Sequence, residues 1–136
     1  MSHGLLLFAH GARDPAWALP FRQARERLLA QHGADTPVAL AFLEFMSPTL
    51  LEAGAQLADQ GCQRVTVVPL FLGAGGHVRK DLPVLIDQLR QSHPGTAWHL
   101  APAVGETDTV VRALADAAWQ LAHADVPPDG ATGGAA

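Results

Sequence analysis

The sequence predicts an α/β protein with a single open parallel sheet of four strands flanked by helices. Three observations carry this. Short apolar runs alternate four times with stretches of helical periodicity, the order expected of a parallel sheet with right-handed crossovers. The runs are mostly continuous rather than alternating, as in strands covered on both faces. The 136 residues, 49% of them hydrophobic, show no internal repeat and fit one domain with its own core.

The first strand is the run Gly4-Leu5-Leu6-Leu7-Phe8-Ala9, which stops at His10-Gly11. Residues 20–32 place Phe21, Ala24, Leu28 and Leu29 at helical spacing, and Gly33 and Pro37 end that helix. Residues 38–43 form a second apolar strand. Ser47-Pro48 then predicts an N-cap followed by proline at the first helical position. That helix is expected to run to about Gln60, with Gly61 as a left-handed cap. Residues 65–72 are the most β-branched run, and Pro69 predicts that the ladder ends near it. Gly73-Ala74-Gly75-Gly76 reads as a flexible loop, and His77 opens the next segment. Leu82, Leu85, Ile86 and Leu89 stripe a third helix closed by Pro94-Gly95. Residues 97–104 form a weaker fourth strand. Residues 107–123 form a fourth helix with Val110, Val111, Leu114, Ala118 and Leu121 on one face. The folded domain is expected over residues 1–124, with a disordered tail over 125–136.

Composition narrows the function. A single cysteine and no Cys-x-x-Cys exclude a disulfide framework and a cysteine zinc module. Apolar runs are too short to span a bilayer, and the N-terminus does not read as a signal peptide, so a cytoplasmic protein is expected. A net charge of -4 argues against a general nucleic-acid binder.

Open α/β sheets bind ligands beyond the carboxyl ends of their strands, where strand order reverses. His10 ends the first strand, Glu44 follows the second, and His77 lies just past the third. With the commoner doubly wound order 2-1-3-4, the first and third strands are neighbours about 4.8 Å apart. Both imidazoles can then reach one small site. Two imidazoles and a carboxylate suit a borderline divalent ion such as Co, Ni, Fe or Zn. They do not make a closed four-ligand structural zinc site. Arg13, Arg79, Lys80 and the helix start at Gly75 and Gly76 favour an anionic ligand, although Arg79 and Lys80 also fit a solvated helix face. The loop lacks the Lys-Ser/Thr of a P-loop and does not match Gly-x-Gly-x-x-Gly. Asp81 is expected to cap the third helix, and Cys62 to be a small buried residue. His3, His32, His93, His99 and His123 read as structural or exposed.

Three motifs together resemble a known family. They are His10-Gly11-Ala12-Arg13-Asp14-Pro15, Phe42-Leu43-Glu44-Phe45-Met46-Ser47-Pro48, and the stretch from Pro69 through Gly75-Gly76-His77-Val78-Arg79-Lys80-Asp81-Leu82-Pro83. In order, they resemble the short, single-lobe sirohydrochlorin chelatases of cobalamin and siroheme biosynthesis. The resemblance implies a chelatase-like lobe that inserts Co2+, or in relatives Fe2+ or Ni2+, into the tetrapyrrole sirohydrochlorin. It maps the motif histidines onto His10 and His77, as metal ligands and proton acceptors, and the motif carboxylate onto Glu44. It implies no permanently bound cofactor, because the divalent metal is a substrate. Ala12 departs from the Ser or Thr more usual there, which removes one hydroxyl from the site. Larger chelatases of this kind have two similar lobes around a cleft. One set of motifs therefore implies a homodimer with its sheet mouths facing each other.

Two other readings share these residues. The same histidines fit a module that carries metal or tetrapyrrole without turnover. Residues 8–13 also superficially resemble the Arg-His-Gly signature of histidine phosphatases, but Ala9 stands where that hydrolase family places arginine.

Overall fold

The computed structural model describes residues 2–73 and 75–124, with the backbone but not the side chain of His77. The tail expected to be disordered, 125–136, lies outside the described residues. The elements are β1 (His3–Ala9), α1 (Leu19–His32), β2 (Val38–Phe42), α2 (Leu50–Asp59), β3 (Arg64–Pro69), α3 (Gly76–Ser92), β4 (Ala97–Leu100) and α4 (Asp108–Ala122). The strands form one parallel sheet in the order β2-β1-β3-β4. This is the order on which the juxtaposition of the two histidine loops depends.

The continuous apolar run of β1 feeds both faces. Leu6 and Phe8 point to one side, where they join Val65, Val67 and Trp98 under Leu50, Ala53 and Leu57 of α2 and Leu82, Ile86 and Leu89 of α3. Leu7 and Ala9 point to the other, with Val38, Leu40 and Phe42 under Phe21, Leu28 and Leu29 of α1. Each large side chain removed from water contributes about 1.5–3 kcal/mol. Of the expected stripes, α3 buries Leu82, Ile86 and Leu89, whereas Phe21, Ala24, Leu28 and Leu29 of α1 are half-buried. Gly61 has φ +89°, as a left-handed cap requires.

Three expectations need correction. Thr49, not Ser47, caps α2. The Thr49 hydroxyl accepts from the Glu52 amide at 3.2 Å, and the Glu52 carboxylate accepts from the Thr49 amide at 2.9 Å. Ser47-Pro48 stays outside the helix because the Pro48 carbonyl accepts the Phe42 amide at 2.9 Å, closing the loop onto β2. Asp81 is no cap: α3 begins five residues earlier at Gly76, so Asp81 sits in its second turn. β4 ends at Leu100 rather than continuing to residue 104. The Ala101 amide still reaches Val67, but Pro102 has no amide donor and the chain turns into a 3-10 turn at Val104–Glu106.

α4 forms where its periodicity predicts, capped by Thr107, but none of its residues is buried. Its main neighbour is the Val104–Glu106 turn.

Candidate metal-insertion site

The strand order brings the loops after β1 and β2 side by side at the carboxyl edge of the sheet. The Leu43 amide donates to the Ala9 carbonyl at 2.9 Å, and the Glu44 amide donates to the His10 carbonyl at 3.0 Å. His10 and Glu44 are thus locked together through their backbones, and both side chains are exposed. Gly11 makes this approach possible. Its φ is +90°, and a Cβ there would stand 1.9 Å from the Glu44 carbonyl oxygen. Only a residue without a side chain satisfies both conditions.

The β3 loop supplies the other wall. Phe71 is buried, and its ring centroid lies 4.2 Å from that of His10 at an interplanar angle of 32°. Phe71 also packs against Phe8 at 5.9 Å. The His10 ring therefore leans on a core aromatic while its edge faces solvent. The loop is held from behind: the Gly105 amide donates to the Phe71 carbonyl at 2.9 Å. A Cβ on Gly105 would meet the Leu72 carbonyl oxygen at 1.8 Å.

α3 starts beyond this loop. Gly75 is its N-cap, no side chain satisfies its first amides, and the His77 backbone lies in its first turn. Free amides at a helix start carry partial positive charge and face the mouth of the sheet. Arg79 and Lys80 are exposed on that first turn. The Arg79 side chain lines a cavity of about 180 Å3 on the β4 side, with Phe71, Pro102 and Glu106. Asp81 lines a larger cavity of about 500 Å3 on the other side of α3, with Phe8, Phe42, Leu43, Thr49 and Val84. The two cavities flank the helix start, and the second is of a size and apolarity suited to part of a large organic ligand. Arg13 lies across the mouth, its guanidinium 4.7 Å from the centre of the Phe45 ring. Phe45 holds a left-handed φ of 67° and is exposed.

Of the residues singled out from sequence, the structure ties His10 and Glu44 together through their backbones and starts α3, with the His77 backbone in its first turn, beyond the loop that follows β3. Arg79 is turned towards β4, away from the Asp81 cavity. Sequence reasoning missed Phe71 as the support of His10 and Phe45 as the partner of Arg13. The available signal was a phenylalanine within three residues of the ends of β2 and β3. Among the described residues, no three His, Cys, Asp or Glu side chains gather to hold a metal ion. Among the described residues no helix is long and apolar enough to cross a membrane.

Comparison with known proteins adds four findings. The CbiX family model matches residues 4–121. A sirohydrochlorin cobaltochelatase of Saccharolobus solfataricus is 37% identical over 83 residues, covering 61% of this chain and 62% of that protein. The match thus spans less than two thirds of that relative's length. Among solved structures, a CbiX protein from Marinobacter aquaeolei VT8 superposes with a TM-score of 0.78 at 32% identity, over 88% of this chain and 97% of that one. The sirohydrochlorin chelatase SirB from Bacillus subtilis subspecies spizizenii, solved in complex with cobalt, shares the fold with a TM-score of 0.73 at 24% identity. The match covers 90% of this chain but only 52% of SirB, which is far longer.

Proposed function

The chain belongs to the CbiX family, and from that premise we propose that it inserts a divalent metal, Co2+ foremost and Fe2+ or Ni2+ as alternatives, into sirohydrochlorin, as a cytoplasmic homodimer. The observation that carries the proposal is the adjacency of β1 and β3. The loops that carry His10 and the helix start bearing His77 follow neighbouring strands at one edge of the sheet.

The chemistry follows from the residues. Insertion removes two protons from pyrrole nitrogens while the metal exchanges its ligands for ring nitrogens. A neutral imidazole can bind the incoming metal or accept one of these protons. His10 and His77 take these roles, and Glu44, tied to His10 through the backbone, takes up charge or a proton. An open set of few ligands suits a metal that must be passed on. The carboxylates of sirohydrochlorin find Arg13, Arg79, Lys80 and the free amides at Gly75 and Gly76 around the mouth. One lobe leaves a large flat macrocycle open on one side, and a second lobe facing it closes the site.

The test is anaerobic incubation of the protein with Co2+ and sirohydrochlorin, following the absorbance change on insertion. The expected result is a rate well above the spontaneous one. Binding of sirohydrochlorin with no gain in rate would overturn catalysis and leave a carrier.

A further inference from the structure

We propose that Phe45 is a positioning residue for the substrate. Its ring supports the Arg13 guanidinium at the mouth of the sheet, and the free N–H groups of Arg13 grip a peripheral carboxylate of the tetrapyrrole beside His10. The inference rests on the proposed function for the identity of that substrate, whereas the support of Arg13 by the ring stands without it.

The backbone of Phe45 is the first observation. Its φ of 67° lies in a region that a residue with a Cβ seldom enters, and a bulky aromatic least of all. Among the described residues it is the one non-glycine residue with a positive φ. The loop is pinned on either side of it. The Glu44 amide donates to the His10 carbonyl at 3.0 Å, and the Phe42 amide donates to the Pro48 carbonyl at 2.9 Å. A glycine would take the turn between these bonds without strain. Phenylalanine adds nothing to the core here. The ring is 57% exposed and joins neither hydrophobic cluster, whereas its neighbour Met46 packs on the α1 side. Strain kept at an exposed aromatic beside a candidate site points to a task for the ring.

The state of Arg13 is the second observation. Its guanidinium carbon lies 4.7 Å from the centre of the Phe45 ring. Arg25, Arg90 and Arg112 each commit N–H groups to a carbonyl or a carboxylate. Among the described residues, none of the side-chain hydrogen bonds or ion pairs involves Arg13. The adjacent acid is engaged elsewhere, because the Asp14 carboxylate accepts from the Ala16 amide at 2.9 Å. Arg13 therefore has a support and no acceptor. Attraction of a cation to a ring face uses none of its N–H donors. The planar fork stays free to take a carboxylate through two parallel bonds.

The two residues sit where holding the rim of a macrocycle sets the place of its centre. Arg13 follows His10 by three residues in the loop after β1. Phe45 follows Glu44, whose amide is bonded to the His10 carbonyl. The support and the metal-delivering end of the site are thus tied by one backbone bond. An unsupported arginine on a surface loop loses much rotamer freedom when it closes on a ligand. A ring beneath the guanidinium removes part of that cost before the ligand arrives. It also fixes how far the gripped carboxylate lies from His10, and so where the ring nitrogens stand. The ligand this arrangement selects is a macrocycle with carboxylates on its rim.

The experiment joins NMR of the Arg13 side chain to titration with metal-free sirohydrochlorin. In the full chain the Phe45 ring should move the Arg13 proton shifts upfield, and Phe45→Leu should return them to ordinary values. Phe45→Leu should bind sirohydrochlorin about 2–5-fold more weakly, and Phe45→Tyr should keep wild-type binding. Arg13→Gln should weaken binding about 10-fold or more, and adding Phe45→Leu to it should change binding little further. In the insertion assay the Phe45→Leu loss should fall on KM more than on kcat. Phe45→Gly relieves the left-handed strain, so it should bind as weakly as Phe45→Leu yet unfold at an equal or higher denaturant concentration. Arg13 shifts that ignore Phe45→Leu would overturn the proposal whatever the chain binds. So would a Phe45→Leu loss undiminished in the Arg13→Gln background, the mark of a ring that touches the ligand or a second copy directly. A supported Arg13 in a wild type that binds no sirohydrochlorin would overturn the proposed function, and with it the substrate named here.

Discussion

Replacing Gly11 by alanine separates two costs that coincide at the mouth of the sheet. The residue has φ +90°, which costs an L-residue about 1–2 kcal/mol. The new Cβ would also stand 1.9 Å from the Glu44 carbonyl oxygen, so one of the two loops must move. Movement sacrifices the 3.0 Å bond between the Glu44 amide and the His10 carbonyl, worth about 0.5–1.5 kcal/mol. The expected loss is about 1.5–3.5 kcal/mol, or roughly 5–12 °C in Tm for a chain of this size. Gly61→Ala is the control, because Gly61 has φ +89° but nothing lies within 4 Å of its Cβ position. It should lose only the backbone part, about 1–2 kcal/mol, and keep its activity. Gly11→Ala should also lose at least about 10-fold in metal-insertion rate, since His10 and Glu44 shift together. Thermal unfolding by circular dichroism and the insertion assay read the two effects. Equal destabilisation of the two variants, with the Gly11→Ala rate intact, would refute the claim that the Glu44 carbonyl fixes this loop.

Other expectations concern the cap, the aromatic support and the turn before α4. Thr49→Ala should cost about 1 kcal/mol of stability in denaturant unfolding, whereas Ser47→Ala should change it little, because only Thr49 holds the capping box. Phe71→Leu should cost on the order of 1 kcal/mol in stability but several-fold in insertion rate, because it removes the ring 4.2 Å from His10. Gly105→Ala places a Cβ 1.8 Å from the Leu72 carbonyl oxygen. It should displace the start of α4 and cost about 1–3 kcal/mol in denaturant unfolding.

Much of this fold was legible because its strands are short apolar runs bounded by turn residues. β1, β2 and β3 lie where those runs stand, and the alternation with helices already implied a parallel sheet. The order β2-β1-β3-β4 was an assumption that the pairing bears out, and it alone puts His10 beside the loop leading to His77. The cap of α2 was misread because Ser47-Pro48 and Thr49-x-x-Glu52 are competing start signals. The reciprocal pair satisfies two amides where the former satisfies one. Phe71 and Phe45 escaped notice because their roles depend on how three loops meet, which no single-strand periodicity encodes. α4 shows the limit most clearly. Its periodicity marks an apolar face but cannot say that none of its residues is buried.

The most direct test of the central claim is the rate of Co2+ insertion into sirohydrochlorin by His10→Ala combined with His77→Ala, set against wild type and the spontaneous reaction. His10 is exposed, so its loss should leave the core intact, and circular dichroism of the variant verifies the fold. The account predicts a folded protein whose rate falls to the spontaneous value. A folded double variant that keeps the full enzymatic rate would contradict it.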